Sequence, residues 1–263
     1  MKERIDVIIA DRGLCESREK AKVLIMAGLV SVNGLKIDKP GTKIDSDSLI
    51  EIKEQSEFVS RGGYKLKKAI QTFDIDLKGR ICADIGASTG GFTDCMLKNG
   101  ASKIYAVDVG YGQLAWELRN DPRVINLERT NARYLSSEII PEGLDFFSVD
   151  VAFISLSKIL PAVSSLMNPE AECVCLIKPQ FEAGREFVGK KGVVRDKTVH
   201  LNVINNIIKV VDDIGLVVKG LTYSPIKGPE GNIEYLIFSG KCGTPCNIDP
   251  SDIVEEAHNE LDK

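Results

Sequence analysis

Between Ile81 and Asp108 the chain reads ICADIGASTGGFTDCMLKNGASKIYAVD. An apolar run closes on Asp84 and breaks into Gly86, Ser88, Gly90 and Gly91. A helical pattern follows, and a second apolar run, Ile104 to Val107, closes on Asp108. Strand, glycine turn, helix, strand is the opening unit of a doubly wound α/β sheet, whose turn meets a nucleotide. Glycines let the backbone reverse tightly and approach a ligand closely. Asp108 lies about twenty residues past the turn, where a carboxylate at a strand end grips ribose hydroxyls. The spacing Asp84-x-Gly86-x-Ser88-x-Gly90 departs from the dinucleotide fingerprint G-x-G-x-x-G.

The alternation continues on both sides. A polar linker, Glu54 to Gly63, leads into a helix in which Leu66, Ala69, Ile70 and Phe73 recur at helical spacing, with Lys65 on its other side. Apolar runs at Val124–Leu127, Phe146–Ala152 and Ala171–Ile177 predict three more strands. Asp150 closes the second of these, and Lys178-Pro179-Gln180-Phe181 follows the third. An aspartate ending an apolar strand is costly unless it is paired or meets a ligand. Helical patterns cover Ser157–Leu166 and Val199–Val211, and residues 182–195, rich in glycine and charge, predict a mobile loop. Leu216–Leu221 and Ile233–Phe238 predict the last two strands. The count gives a seven-stranded Rossmann-like α/β sheet, preceded by a small α+β module. The boundaries expected are 1–58 for the module, 59–243 for the sheet domain and 244–263 for a polar, loosely held tail.

In the front module Ile5, Ile8 and Ile9 share one face of a short helix, and Ser17 is a plausible N-cap for SREKAKVLIMAG. Leu29 to Val32 alternates as a strand, and Asn33-Gly34 is a hairpin signal. The pattern SREKAKVLIMAGLVSVNG resembles the small RNA-binding domain named after a ribosomal small-subunit protein, over about residues 3–55. That resemblance implies basic side chains presented to structured RNA. The candidates are Arg4, Arg18, Lys22, Lys36 and Lys39, which would meet phosphates and read shape rather than sequence.

Charge agrees weakly. Residues 1–80 hold 16 of the 34 Lys and Arg and 13 of the 38 Asp and Glu, so the front is slightly basic and the remainder acidic. Seven cysteines at irregular spacings read as reduced thiols, and Cys242 and Cys246, with no histidine nearby, make no convincing metal site. With only two histidines, His200 and His258, a histidine triad or zinc centre lacks material. No export signal or membrane-length apolar run is visible, so a cytoplasmic protein without a membrane or metal partner is expected.

The first glycine turn looks like the first motif of the S-adenosylmethionine methyltransferases, which also end their sheet in an antiparallel pair. Its candidate cofactor contacts are Asp84, Gly86, Ala87, Ser88, Gly90, Gly91, Phe92, Asp108, Asn131 and Asp150. The resemblance then narrows. Lys65 after S-R-G-G-Y, D-I-G-A-S-T-G-G-F, E-R-T-N-A-R, V-D-V-A-F-I-S-L, L-I-K-P-Q-F-E-A-G and G-N-I-E-Y-L stand as in the TlyA (hemolysin A) family. Members are RNA ribose 2′-O-methyltransferases with an FtsJ-like fold and a Lys-Asp-Lys-Glu tetrad. The matching positions are Lys65, Asp150, Lys178 and Glu234. The resemblance implies Lys178 as base or steering group, Asp150 and Lys65 tuning it, and Glu234 holding the target hydroxyl or Lys65. It implies ribosomal RNA or ribosomal subunits as substrate, cytidine as target and S-adenosylmethionine as methyl donor. A pore-forming hemolysin is a competing class, disfavoured by the absence of an export signal and of membrane-long or barrel-like segments. A non-catalytic assembly factor is disfavoured by the intact tetrad.

Overall fold

The computed structural model describes residues 2–53 and 56–262, so the first two residues of the linker, Glu54 and Gln55, lie outside the described residues. The chain divides into two compact units, Met1–Glu57 and Phe58–Lys263.

In the first unit a strand at Lys2–Arg4 runs straight into a helix, Ile5–Asp11, that buries Ile5, Ile8 and Ile9. The helix begins at Ile5 because Arg4 pairs in a ladder with Lys43. The second helix, Arg18–Met26, is capped by the Ser17 hydroxyl, which accepts the Lys20 N–H. A three-stranded sheet of Val30–Val32, Leu35–Ile37 and Ile50–Ile52 completes a core built almost wholly of isoleucine, leucine and valine.

The second unit is a seven-stranded sheet with helices on both faces. Its strands are β1 (Ile81–Ile85), β2 (Lys103–Val107), β3 (Val124–Leu127), β4 (Leu144–Val149), β5 (Met167–Ile177), β6 (Val217–Tyr223) and β7 (Tyr235–Gly240). Their order across the sheet is β6-β7-β5-β4-β1-β2-β3. The central strands are parallel and β7 runs antiparallel to both β5 and β6. The order reverses between β1 and β4, and such a switch point opens a crevice at the strands' carboxyl ends. Two apolar layers flank the sheet, one around Phe147, Val149 and Ile204, the other around Leu66, Met96 and Phe146. Adjacent residues of β4 point to opposite layers, as the two-residue period requires.

Helix α1 (Gly62–Phe73) and helix α2 (Gly91–Lys98) pack together on one face. A Cβ on Gly91 would stand 2.2 Å from the Ser60 hydroxyl and 2.9 Å from the Gly63 nitrogen, so glycine is what allows the approach. Helix α3 (Lys197–Asp213) covers the other face.

The expected tail is corrected. Asp249 caps a twelve-residue helix, α4 (Pro250–Leu261), with Pro250 at its first turn. Val254, Ala257 and His258 are buried, and α4 packs on α3 and β6. Its polar residues lie on the outer face of an amphipathic helix. Among the described residues no helix is long and apolar enough to cross a membrane, and no group of three or more His, Cys, Asp or Glu could hold a metal ion.

Candidate active site

Asp108, Asp150 and Lys178 each follow the last residue of a parallel strand, so the sheet delivers all three to one rim. Antiparallel β7, with Tyr235 opposite Ile177, brings Glu234 to the same rim from its amino end. Lys65 arrives from the start of α1.

Four of these charges form one chain. Lys178 Nζ is 2.5 Å from Asp150 Oδ1, and Asp150 Oδ2 is 3.8 Å from Lys65 Nζ. Lys65 Nζ donates to Glu234 Oε2 at 2.6 Å, and Gln180 Nε2 reaches Glu234 Oε1 at 3.5 Å. The side chains of Lys65 and Lys178 are only 9% and 12% exposed, and that of Glu234 is 1% exposed. Two cations alternate with two anions, so no charge is buried without a partner; deleting one member strands another.

Backbone geometry fixes this arrangement. The Asp150 N–H donates to the Ile85 carbonyl at 2.9 Å. Gly86 has φ +88°, and a Cβ there would stand 2.4 Å from the Asp150 carbonyl oxygen. The turn after β1 can therefore lie against the turn after β4 only with glycine at this position.

A cleft of about 340 Å³ opens here, lined by Asp84, Gly86, Ala87, Ser88, Gly91 and Phe92 together with all four members of the charge chain. It meets a second lobe of about 520 Å³ at Gly86, Ser88, Asp150 and Ala152; Asp108, Asn131 and apolar Val109 and Ile154 line that lobe. Asp108 accepts the N–H of Ser88 at 2.8 Å and of Gly110 at 2.7 Å. Asn131 caps a short turn by accepting the Arg133 N–H at 3.1 Å. Gly90 lines neither lobe; at φ +94° it starts α2 against Leu114 and Leu118.

Asp84 is fully enclosed. Its Oδ2 accepts the N–H and the hydroxyl of Thr93 at 2.8 and 2.7 Å, whereas Oδ1 has no partner. Burial, opposed by Thr93, raises its pKa to about 7. A buried, unpartnered carboxylate oxygen on a cleft-lining residue fits a ligand's cationic group.

Periodicity gave no sign of the two aromatics on this rim. Phe153, at φ +64° and 89% exposed, rests its ring 4.9 Å from that of Phe181. Cleft-lining Lys227 was likewise not singled out, since a lone lysine in a Gly-Pro segment carries no pattern.

In the first unit, Arg4 and Arg18 converge on Asp6. Arg4 forks onto both carboxylate oxygens at 3.0 Å, and Arg18 Nε meets Oδ2 at 2.9 Å. Asp6 is wholly buried, while the arginine side chains are 45% and 48% exposed. The Arg4 hydrogen bonds, helped by Arg18, hold the Asp6 carboxyl at about 2. Lys22 pairs with Glu19 at 2.7 Å. Lys36 lies against Gly28, and Lys39 is exposed. Asp6 is the anchor of this patch; an acid two residues past an arginine is the only hint of it in the sequence.

Comparison with known proteins adds the following. Residues 58–241 match the FtsJ-like methyltransferase family, and residues 3–50 match the S4 domain. A Bacillus subtilis protein provisionally named as the rRNA methyltransferase YqxC is 50% identical over 99% of this chain and 95% of its own. The Mycobacterium tuberculosis 16S/23S rRNA (cytidine-2′-O)-methyltransferase TlyA is 44% identical over 89% of this chain and 88% of its own. A solved Streptococcus thermophilus structure, provisionally described as a hemolysin, superposes with a TM-score of 0.76 at 47% identity, covering 99% of this chain and 97% of that one.

Proposed function

Because the chain belongs to the FtsJ-like methyltransferase family, we propose that it transfers a methyl group from S-adenosylmethionine to a ribose 2′-hydroxyl, of cytidine, in ribosomal RNA. The observation that carries this reading is the enclosed Lys178–Asp150–Lys65–Glu234 chain on the rim of a cleft that also holds Gly86 and Asp84. The donor supplies a methyl group activated on a sulfonium, open to in-line displacement by oxygen. In this reading Asp108 holds the ribose hydroxyls and Asn131 lies beside the base, in the apolar second lobe. The free oxygen of Asp84 takes the ammonium group.

A ribose hydroxyl is a weak nucleophile, so alignment and proton removal set the rate. Lys178 Nζ, having first released one of its own protons to solvent, takes the hydroxyl proton as the oxygen–carbon bond forms and the sulfur–carbon bond breaks. Asp150 fixes that nitrogen at 2.5 Å and holds the resulting ammonium. Lys65, bound between Asp150 and Glu234, keeps Asp150 from turning away. Arg4 and Arg18, with Lys22, Lys36 and Lys39, grip RNA phosphates from the S4 domain. The protein then works in the cytoplasm, where ribosomal subunits are. Mass mapping of ribosomal RNA from cells with and without this chain tests the reading. A cytidine 2′-O-methyl group that disappears with the protein supports it; identical maps refute it.

A further inference from the structure

The chain has two histidines, and the fold brings them into contact. His200 lies in α3, wholly buried, and His258 in α4, nearly so. His200 Nε2 is 3.0 Å from the Val194 carbonyl oxygen, and His258 Nδ1 is 2.8 Å from Asp262 Oδ2. The remaining nitrogens, His200 Nδ1 and His258 Nε2, face each other at 3.2 Å. A carbonyl and a carboxylate only accept, so each ring directs one hydrogen outward. A hydrogen bond between the rings needs a third proton, shared by the pair. Burial lowers the His200 pKa to about 4, so His200 is the accepting ring. With the third proton gone, two lone pairs face each other, and only the Tyr235 hydroxyl, 2.7 Å from His200 Nδ1, can fill one. The charged groups facing the pair are Asp262, itself bonded to Lys227 at 2.7 Å, and Asp196 at the N-cap of α3.

This pair holds part of the cleft's border. Val194, gripped by His200, also donates its N–H to Asn232 Oδ1 at 3.0 Å, and Asn232 Nδ2 donates to the Gly192 carbonyl at 2.8 Å. The Asn232 carbonyl in turn accepts the N–H of cleft-lining Gly228 at 2.9 Å. The segment so pinned carries Arg185, Lys190, Lys191 and Arg195, none of which makes an ion pair among the described residues. Lys227, held by Asp262, lines the cleft itself.

We propose that α4 is a positioning element for the RNA substrate: its His258–His200 contact fixes the Arg185–Arg195 loop, and its Asp262 fixes cleft-lining Lys227, so that the loop and Lys227 present set cations to phosphates. The substrate in this proposal rests on the RNA-methylating reading above.

The test uses the full chain as wild type, His258→Leu and Asp262→Asn. Amide exchange of residues 189–194 is read by mass spectrometry, and methyl transfer to ribosomal subunits is measured in parallel. In wild type, exchange protection of this segment, corrected for intrinsic rates, is about tenfold higher than in His258→Leu. In both variants KM for the subunits rises about fivefold, while kcat and S-adenosylmethionine affinity stay within about twofold. Asp262→Asn lies at the exposed end of α4 and carries the test if His258→Leu misfolds. Unchanged protection in His258→Leu, or an unchanged KM in Asp262→Asn, overturns the proposal. If wild type transfers no methyl group yet its loop loses protection in His258→Leu, the methyltransferase reading fails while the clamp stands.

Discussion

One cluster of paired charge in each unit, around Asp6 in the first and around Asp150 and Glu234 in the second, is built on enclosed carboxylates. The two differ in what is done with the cations. Around Asp150 and Glu234 the lysines are themselves nearly buried, Lys65 between two acids and Lys178 against one. Around Asp6 the arginines hold the acid with one edge and leave the rest in water. An enclosed ammonium acts at one point and at short range, where low polarity strengthens it. A half-exposed guanidinium keeps spare donors for any phosphate that approaches, and salt screens it. One arrangement suits a reaction at a single hydroxyl, the other a docking surface for a polyanion.

The largest expected effect breaks the enclosed cluster. Lys178→Ala lowers single-turnover methyl transfer by about 10²–10⁴-fold while S-adenosylmethionine still binds; an unchanged rate removes Lys178 from the mechanism. The exposed cluster should respond through affinity instead. Arg18→Glu with Lys22→Glu weakens RNA binding about thirtyfold at low salt and flattens its salt dependence, with S-adenosylmethionine binding untouched. Equal affinity at low salt rejects the S4 domain as the reader.

A smaller effect separates the cofactor lobe from both. Asp84 titrates near 7 in the folded protein, above its unfolded value, so it is protonated below that pH and must ionise to meet an ammonium group. Affinity for S-adenosylmethionine therefore falls, by up to about tenfold per pH unit, as pH drops below about 7. Asp84→Asn binds weakly and without that slope in titration calorimetry. The smallest effect is structural. Asp6 is held at about 2, below its unfolded value, so its contribution is present at neutral pH and is lost as pH falls from about 4 through 2. Asp6→Asn costs about 1–2 kcal/mol, because the arginines it releases are half solvated; an unshifted melt would show that the acid does not anchor the patch.

The rim of the sheet was legible because strand ends are local signals. Asp108, Asp150 and Lys178 each stand one residue past an apolar run, and parallel strands must place such residues together. The ion partners were not legible from pattern, since Lys65 and Glu234 are 169 residues apart and meet only through the sheet; the family resemblance alone named them. The helix at Pro250–Leu261 was misread as a tail because its acidic composition masked Ile253, Val254, Ala257 and Leu261 at helical spacing behind an Asp-Pro start. The histidine contact spans α3 and α4, and no local pattern encodes it. Gly90 and Gly91 look like ligand-turn glycines in sequence, yet Gly90 serves packing at the start of α2, and Gly91 serves packing while also lining the cleft.

The most direct measurement is the position of the transferred methyl group. Pure protein, ribosomal RNA and methyl-labelled S-adenosylmethionine are combined, and the RNA is then digested in alkali, which cannot cleave beside a 2′-O-methylated ribose. The account predicts label in an alkali-resistant dinucleotide beginning with cytidine, lost in Lys178→Ala. Label on a base, or none on the RNA at all, would contradict it.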